Sequence, residues 1–131
     1  MFVFFDYVFY RITDSRYYQF VDPNDTWIWG WGVLSTCESI NVCSAIMFLF
    51  SIVNRIVSSP VIVVLSIFIP IFIANLFRYN GKKYKILKEK HSNDSNRIIK
   101  GIGVLCYVIG SMMLFALACI VQGLVFKNVN R

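Results

Sequence analysis

The chain has 131 residues, of which 57% are hydrophobic and 15% are charged. A soluble domain of this length buries only part of the surface that its unfolded chain exposes, so this composition argues against a soluble fold. The formal net charge is +6, and eight of the 13 basic residues lie between Arg78 and Lys100. Because the apolar residues form long runs, we expect lipid to be their solvent.

The first 26 residues predict an amphipathic helix in the membrane interface, followed by a turn. The segment is too short and too interrupted to span a bilayer, and it lacks the basic start of a signal peptide. At helical spacing, the apolar face carries Phe2, Phe5, Phe9 and Ile12, and the polar face carries Asp6, Tyr10, Thr13, Asp14 and Tyr17. This pattern is typical of a helix that lies along the membrane surface, and an aromatic anchor is its simplest role.

Three apolar runs predict transmembrane helices over residues 27–53, 60–77 and 98–126, so the fold class is an all-α membrane protein. Three tryptophans at the start of the first run suit an aromatic belt at the membrane surface. Pro70 lies in the middle of the second run and cannot donate a backbone hydrogen bond, which predicts a hinge. A basic loop over residues 78–97 joins the second and third runs, and a short tail covers residues 127–131.

The distribution of basic residues predicts the orientation of the chain. With three spans, the amino-terminal segment and the basic loop share one side and carry ten lysines and arginines in total, against three on the other side. Positive residues are retained on the cytoplasmic side of a membrane. We therefore expect a multi-pass protein of the inner (cytoplasmic) membrane with a cytoplasmic amino terminus.

The most unusual residue of the predicted spans is Glu38. It lies eleven residues after Trp27, which places it about 16 Å along the helix and close to the bilayer midplane. Asn41 follows one turn later on nearly the same face. Two interpretations are open: a buried carboxyl group bonded to Asn41 or to another helix, or a residue that lines a pore or proton pathway.

Small residues at four-residue spacing predict close helix packing and self-association. One such stripe contains Gly32, Ser35, Ser39 and Cys43, and another contains Ser111, Phe115, Cys119 and Gly123. Gln122 adds a hydrogen-bonding amide near the outer end of the third span. Three helices alone enclose no aqueous channel, so a pore would require a symmetric homo-oligomer. We expect Glu38, Asn41, Ser35 and Gln122 to face its pore or a seam between helices.

The basic loop has two interpretations. It can mark topology and contact anionic membrane lipid, which the charge bias alone already favours. Alternatively, it can bind an anionic nucleotide or oligonucleotide through lysine charges and stacking aromatics. The residues available for either role are Lys82, Lys83, Lys85, Lys88 and Arg97, with Tyr79 and Tyr84 beside them. No catalytic motif, metal-ligand spacing or cofactor motif is present, so we expect neither an enzyme nor a cofactor.

The order of these parts resembles a group of small bacterial membrane proteins. The matching segments are YVFYRI near the start, NLFRYNGKKYKILKEK after the second span and NRIIKGIGVL at the start of the last. Proteins of this kind are similar to the membrane effectors of anti-phage systems that are encoded beside a nucleotidyltransferase, as in Hailong-type defence. The resemblance implies an oligomeric channel that depolarises the cell, is controlled by a nucleotide signal and works with a partner nucleotidyltransferase.

These observations support two hypotheses of different kinds. The first is a homo-oligomeric, channel-forming membrane effector that receives an anionic signal at the basic segment. The second is a non-conducting accessory or anchoring subunit that packs its small-residue stripes against the helices of a larger complex. A small transporter is less favoured, because the chain has no paired repeat.

Overall fold

The computed structural model describes residues 2–14, 26–53, 60–92 and 97–129. All of its regular structure in these ranges is helical. The helices are α1 (Phe2–Thr13), α2 (Thr26–Ile52), α3 (Pro60–Arg78), α4 (Gly81–Lys90) and α5 (Arg97–Val129). The turn predicted before the first span lies almost wholly outside the described residues.

The three predicted membrane helices correspond closely to α2, α3 and α5. Two stretches, Thr26–Ile52 and Ile98–Lys127, are each long and apolar enough to cross a membrane by themselves. The third candidate pairs Ile62–Arg78 with Gly81–Lys90, which are bent by 62° relative to each other. The chain is therefore an all-helical protein with two to three candidate membrane spans.

The bend between α3 and α4 has a local cause in the sequence. Asn80 adopts an extended backbone, with φ −136° and ψ 174°, and its side chain accepts a hydrogen bond from the Lys83 amide at 2.9 Å. A residue that caps a helix in this way ends the preceding helix and starts the next one. The basic loop predicted between the spans thus contains a helix of its own, which begins at Gly81.

Helix α2 is the centre of the fold, because it packs against α1, α3 and α5. It runs in the same direction as α5. Asn41 meets Tyr107 in the first half of α5, whereas Met47 meets Gln122 near its end. Two helices that point the same way require the chain to return between them, and α3 lies between them in the sequence.

The main apolar core lies where α1 and α4 meet α2, α5 and the end of α3. Its buried members are Val8, Phe9, Tyr10, Ile12, Leu34, Tyr79, Leu87 and Val104. Phe9 and Tyr79 are fully buried with ring centroids 4.7 Å apart. Aromatic packing therefore joins the first parts of α2 and α5 to the end of α3.

A helix is present where the amphipathic helix was predicted, but its buried surface is wider than the predicted apolar face. Tyr10 and Thr13, which helical spacing placed on the polar side, are 4% and 3% exposed. Tyr10 stacks with His91 at 5.4 Å between ring centroids, and the Thr13 hydroxyl donates to the Phe9 carbonyl at 2.8 Å. Both side chains thus have partners within the protein. The position of α1 in the membrane interface stays a prediction.

The helix α3 continues through Pro70, whose side chain is exposed. Its proposed action as a hinge stays a prediction. The small-residue stripe of α2 is already used within the chain, since Ser35, Ser39 and Cys43 are buried. On α5, by contrast, Gly123 has no described atom within 4 Å of the position that a Cβ would take.

Candidate functional site

Glu38 is held by a side chain of α3. The Asn75 Nδ2 donates to Glu38 Oε2 at 2.6 Å and lies 3.2 Å from Ser35 Oγ, so one amide joins two groups of α2. Asn75 is 5% exposed. The hydrogen-bond partner of the carboxyl group is therefore on another helix and is not Asn41, and whether Glu38 lines a pore stays a prediction.

The other two predicted amides, Asn41 and Gln122, form separate contacts between α2 and α5. Asn41 Nδ2 donates to the Tyr107 hydroxyl at 3.4 Å. Gln122 Nε2 lies 2.8 Å from both the Met47 carbonyl and the Ser51 hydroxyl. Each amide nitrogen thus forms a hydrogen bond between the two helices, which is the role that such side chains commonly have in membrane bundles.

The structure thus brings together only part of the predicted set. Ser35 and Glu38 meet at one point, which we call the polar junction and define as Ser35, Glu38 and Asn75. Asn41 and Gln122 lie elsewhere along the α2–α5 contact. Asn75 was not among the predicted site residues. A signal was present, because Asn75 is a polar amide inside an apolar run, three residues before Arg78, and polar residues in such runs are often functional.

The polar junction leaves one edge of the carboxyl group open. Glu38 is half-buried, and no described residue donates a hydrogen bond to its Oε1. An ionisable group near the middle of a candidate span is costly in hydrocarbon and normally faces protein or water. Within the described residues of one chain, Oε1 of Glu38 therefore has no hydrogen-bond partner and is left to water or to another copy.

A second polar feature lies at the corner between α3 and α4. Asp6 of α1 accepts from Arg78 at 3.1 Å through one oxygen and from Lys83 at 3.1 Å through the other. We call these three residues the charged corner. Their side chains are 18%, 27% and 36% exposed, so water partly screens the pairs. The charged corner therefore links α1 to both α3 and α4.

We expect Asp6→Asn to loosen α1, because it leaves Arg78 and Lys83 without their shared carboxylate. Two partly exposed pairs suggest a loss of roughly 1 kcal/mol in the free energy of unfolding. Hydrogen exchange of the α1 amides measures the effect. Glu89→Gln is the matched control, since Glu89 is exposed and has no ion pair among the described residues. Equal exchange in the two variants would show that the charged corner does not hold α1.

The predicted basic residues are divided between two surfaces. Lys82, Lys85 and Lys88 line a groove of about 570 Å³, which is completed by Trp27, Asn80, Gly81 and Tyr84. Lys83 points instead to Asp6. The side chain of Arg97 lies outside the described residues.

The aromatic residues near these lysines are also sorted by the fold. Tyr79 is fully buried against Phe9 and is not available to a ligand. Tyr84 lines the groove, where Lys88 Nζ lies 5.8 Å from its ring centroid. Trp27 was not predicted to belong to a ligand site, because it lies 54 positions before the start of α4 in the sequence.

The fold and these two polar features define a class: an all-helical protein with two to three candidate membrane spans and a polar junction within them. No protein-family model, curated protein or solved structure matches the chain significantly. Within the described residues, no three His, Cys, Asp or Glu side chains gather as metal ligands would.

Proposed function

We propose that this protein is an oligomeric, channel-forming membrane effector that acts in anti-phage defence. It conducts ions or depolarises the inner membrane under the control of an anionic nucleotide signal. Its amino terminus and basic helix α4 face the cytoplasm, where a partner nucleotidyltransferase would supply the signal. The resemblance described above is the basis for the defence role, and the polar junction is the basis for conduction.

The open edge of Glu38 is the observation that carries the proposal. One oxygen of this carboxyl group is bonded to a neighbouring helix, and the other has no described partner. Such a group suits a position where packed helices border an aqueous path. Asn75 holds its orientation through Oε2. In an oligomer, Oε1 would meet water or a second copy rather than lipid tails.

The outer surface of α5 supports assembly. Gly103 and Gly110 are exposed, and no described atom lies within 4 Å of the Cβ position of either one. Glycines seven residues apart fall on one face of a helix and allow close approach of another helix. Several copies packed around an axis would supply the enclosure that one chain lacks.

The path from signal to pore runs through the charged corner. Lys83 and Arg78 share Asp6, and Arg78 lies three residues after Asn75 on α3. An anionic ligand near α4 would compete with Asp6 for Lys83. The resulting movement at the end of α3 would reach Asn75 within one turn and change its hold on Glu38.

Ion flux into liposomes that contain the purified full-length protein tests the proposal. We expect Glu38→Gln to lower flux at least tenfold, because it removes the ionisable group but keeps an oxygen that can accept from Asn75. Asn41→Ala should lower flux less, because Asn41 is not part of the polar junction. Glu89→Gln makes the same chemical change outside the apolar helices and should leave flux unchanged.

Flux that is unchanged in both Glu38→Gln and Asn41→Ala would remove these residues from conduction. A protein that is monomeric in mild detergent and inactive in flux assays would overturn the channel itself.

The second candidate is an accessory or anchoring subunit. It is favoured by the amides Asn41, Asn75 and Gln122, all of which form hydrogen bonds within one chain. Purification from native membranes separates the candidates. A self-assembled ring supports the channel, whereas stoichiometric foreign subunits support the accessory role.

A further inference from the structure

We infer that the groove lined by Lys82, Lys85 and Lys88 binds the phosphate of an anionic phospholipid headgroup. The inference is independent of conduction, because such a site would exist whether or not the protein forms a channel. It also divides the basic residues into those that bind a ligand and those that hold the fold.

The charge of the groove favours an anion. Its three lysines are spaced three residues apart along α4, so they share one side of the helix. Neither Lys82 nor Lys85 forms an ion pair among the described residues, and the groove has no acidic lining residue. Like charges held this close repel each other, and a bound phosphate would relieve the repulsion.

The helix backbone adds to this preference. Gly81 and Lys82 are the first residues of α4, where the backbone amides have no partner within the helix, and both line the groove. The side chain of Asn80 accepts a hydrogen bond from the Lys83 amide but not from the amides of Gly81 and Lys82. A phosphate in the groove would thus meet amide donors as well as ammonium groups.

The aromatic residues of the groove argue for a headgroup rather than a nucleobase. Recognition of a base requires a free ring face on which the base can stack. Tyr84 is already contacted by Tyr10 and by the Lys88 ammonium group. Trp27 packs over Gly81, since its ring lies 3.4 Å from the Cβ position of that glycine. The groove therefore offers charge but few free aromatic faces.

The position of the groove, at the ends of two candidate spans, favours a lipid headgroup as the source of the phosphate. Trp27 is the second residue of α2, and Asn80 lies two residues after the end of α3. The ends of candidate spans lie at the depth of lipid headgroups. Ile86 of α4 is 60% exposed, so the basic helix also presents an apolar side chain, as helices at a membrane surface do.

Lipid titration of the full-length protein in detergent micelles tests the inference. Short-chain phosphatidylglycerol is added in one series and short-chain phosphatidylcholine in another, and the rise in melting temperature gives the apparent affinity. We expect phosphatidylglycerol to bind at least tenfold more tightly. Lys85→Gln/Lys88→Gln should abolish this preference.

The matched control is Lys90→Gln/Lys127→Gln, which removes the same charge from two exposed lysines outside the groove. It should keep the wild-type preference. Equal losses in the two double variants, or no loss in either, would overturn the site. Melting temperatures without lipid show whether each variant still folds.

Two further arms distinguish the source of the phosphate. Inorganic phosphate and a short single-stranded oligonucleotide are titrated in place of lipid. Weak stabilisation by both supports the headgroup. Displacement of phosphatidylglycerol by micromolar oligonucleotide would assign the groove to a soluble ligand and overturn the inference. Loss of lipid preference with normal ion flux would leave the channel proposal intact.

Discussion

Asn75→Leu is expected to destabilise the helix bundle more than any other single change at the polar junction. The substitution removes the donor to Glu38 Oε2 and leaves a carboxyl group among apolar helices without its only described partner. The cost of leaving such a group unsatisfied is about 2 kcal/mol in the free energy of unfolding. Thermal unfolding of the purified protein in one fixed detergent measures it.

The double variant Glu38→Leu/Asn75→Leu separates this effect from a loss of packing. When both partners become apolar, no polar group remains to be satisfied, and we expect more than half of the lost stability to return. Ser66→Leu is the control on the same helix, since Ser66 is exposed and should change stability by less than about 0.5 kcal/mol. If the stability lost in the double variant equals the sum of the losses in Glu38→Leu and Asn75→Leu alone, Glu38 and Asn75 do not interact.

Gly30→Ala is expected to push α1 away from α2. A Cβ at Gly30 would overlap the Thr13 hydroxyl and lie 3.1 Å from the Phe9 carbonyl oxygen. The hydroxyl can turn away only by giving up its 2.8 Å bond to that carbonyl, and the carbonyl itself belongs to the backbone of α1. Overpacking of this kind costs about 2 kcal/mol.

Gly32→Ala provides a control two residues along the same helix. No described atom lies within 4 Å of the Cβ position of Gly32. The added methyl group should therefore be neutral, or stabilise α2 by up to about 1 kcal/mol through helix propensity.

Hydrogen exchange of α1, together with thermal unfolding, compares the two variants. Thr13→Ala should partly rescue Gly30→Ala, because it removes the hydroxyl that the new methyl group meets. Similar results for the two glycine variants would contradict the close packing of α1 on α2.

The sequence alone was sufficient to locate the long helices. Lipid as solvent demands continuous apolar runs with internally satisfied backbones, so the predicted spans and the observed helices nearly coincide. It also singled out Glu38, because a carboxyl group in an apolar run is conspicuous without any knowledge of packing. The charge run identified the basic segment in the same way.

Contacts between distant residues required the tertiary structure. Asn75 and Glu38 are 37 residues apart, and Asp6 and Lys83 are 77 apart, so no local spacing could pair them. The fold showed which lysines line a groove and which one holds α1. It also buried Tyr10 and Thr13, because neighbouring helices cover a face that helical periodicity had assigned to solvent.

The sequence by itself therefore determined where the long apolar helices lie and which residues are out of place in them, but not the short helix α4 inside the basic segment. Those properties depend on side chains taken one helix at a time. The partner of Glu38, the division of the lysines and the docking of α1 were decided by the tertiary structure. They depend on how helices are rotated and paired, and that is settled by packing between residues far apart in the chain.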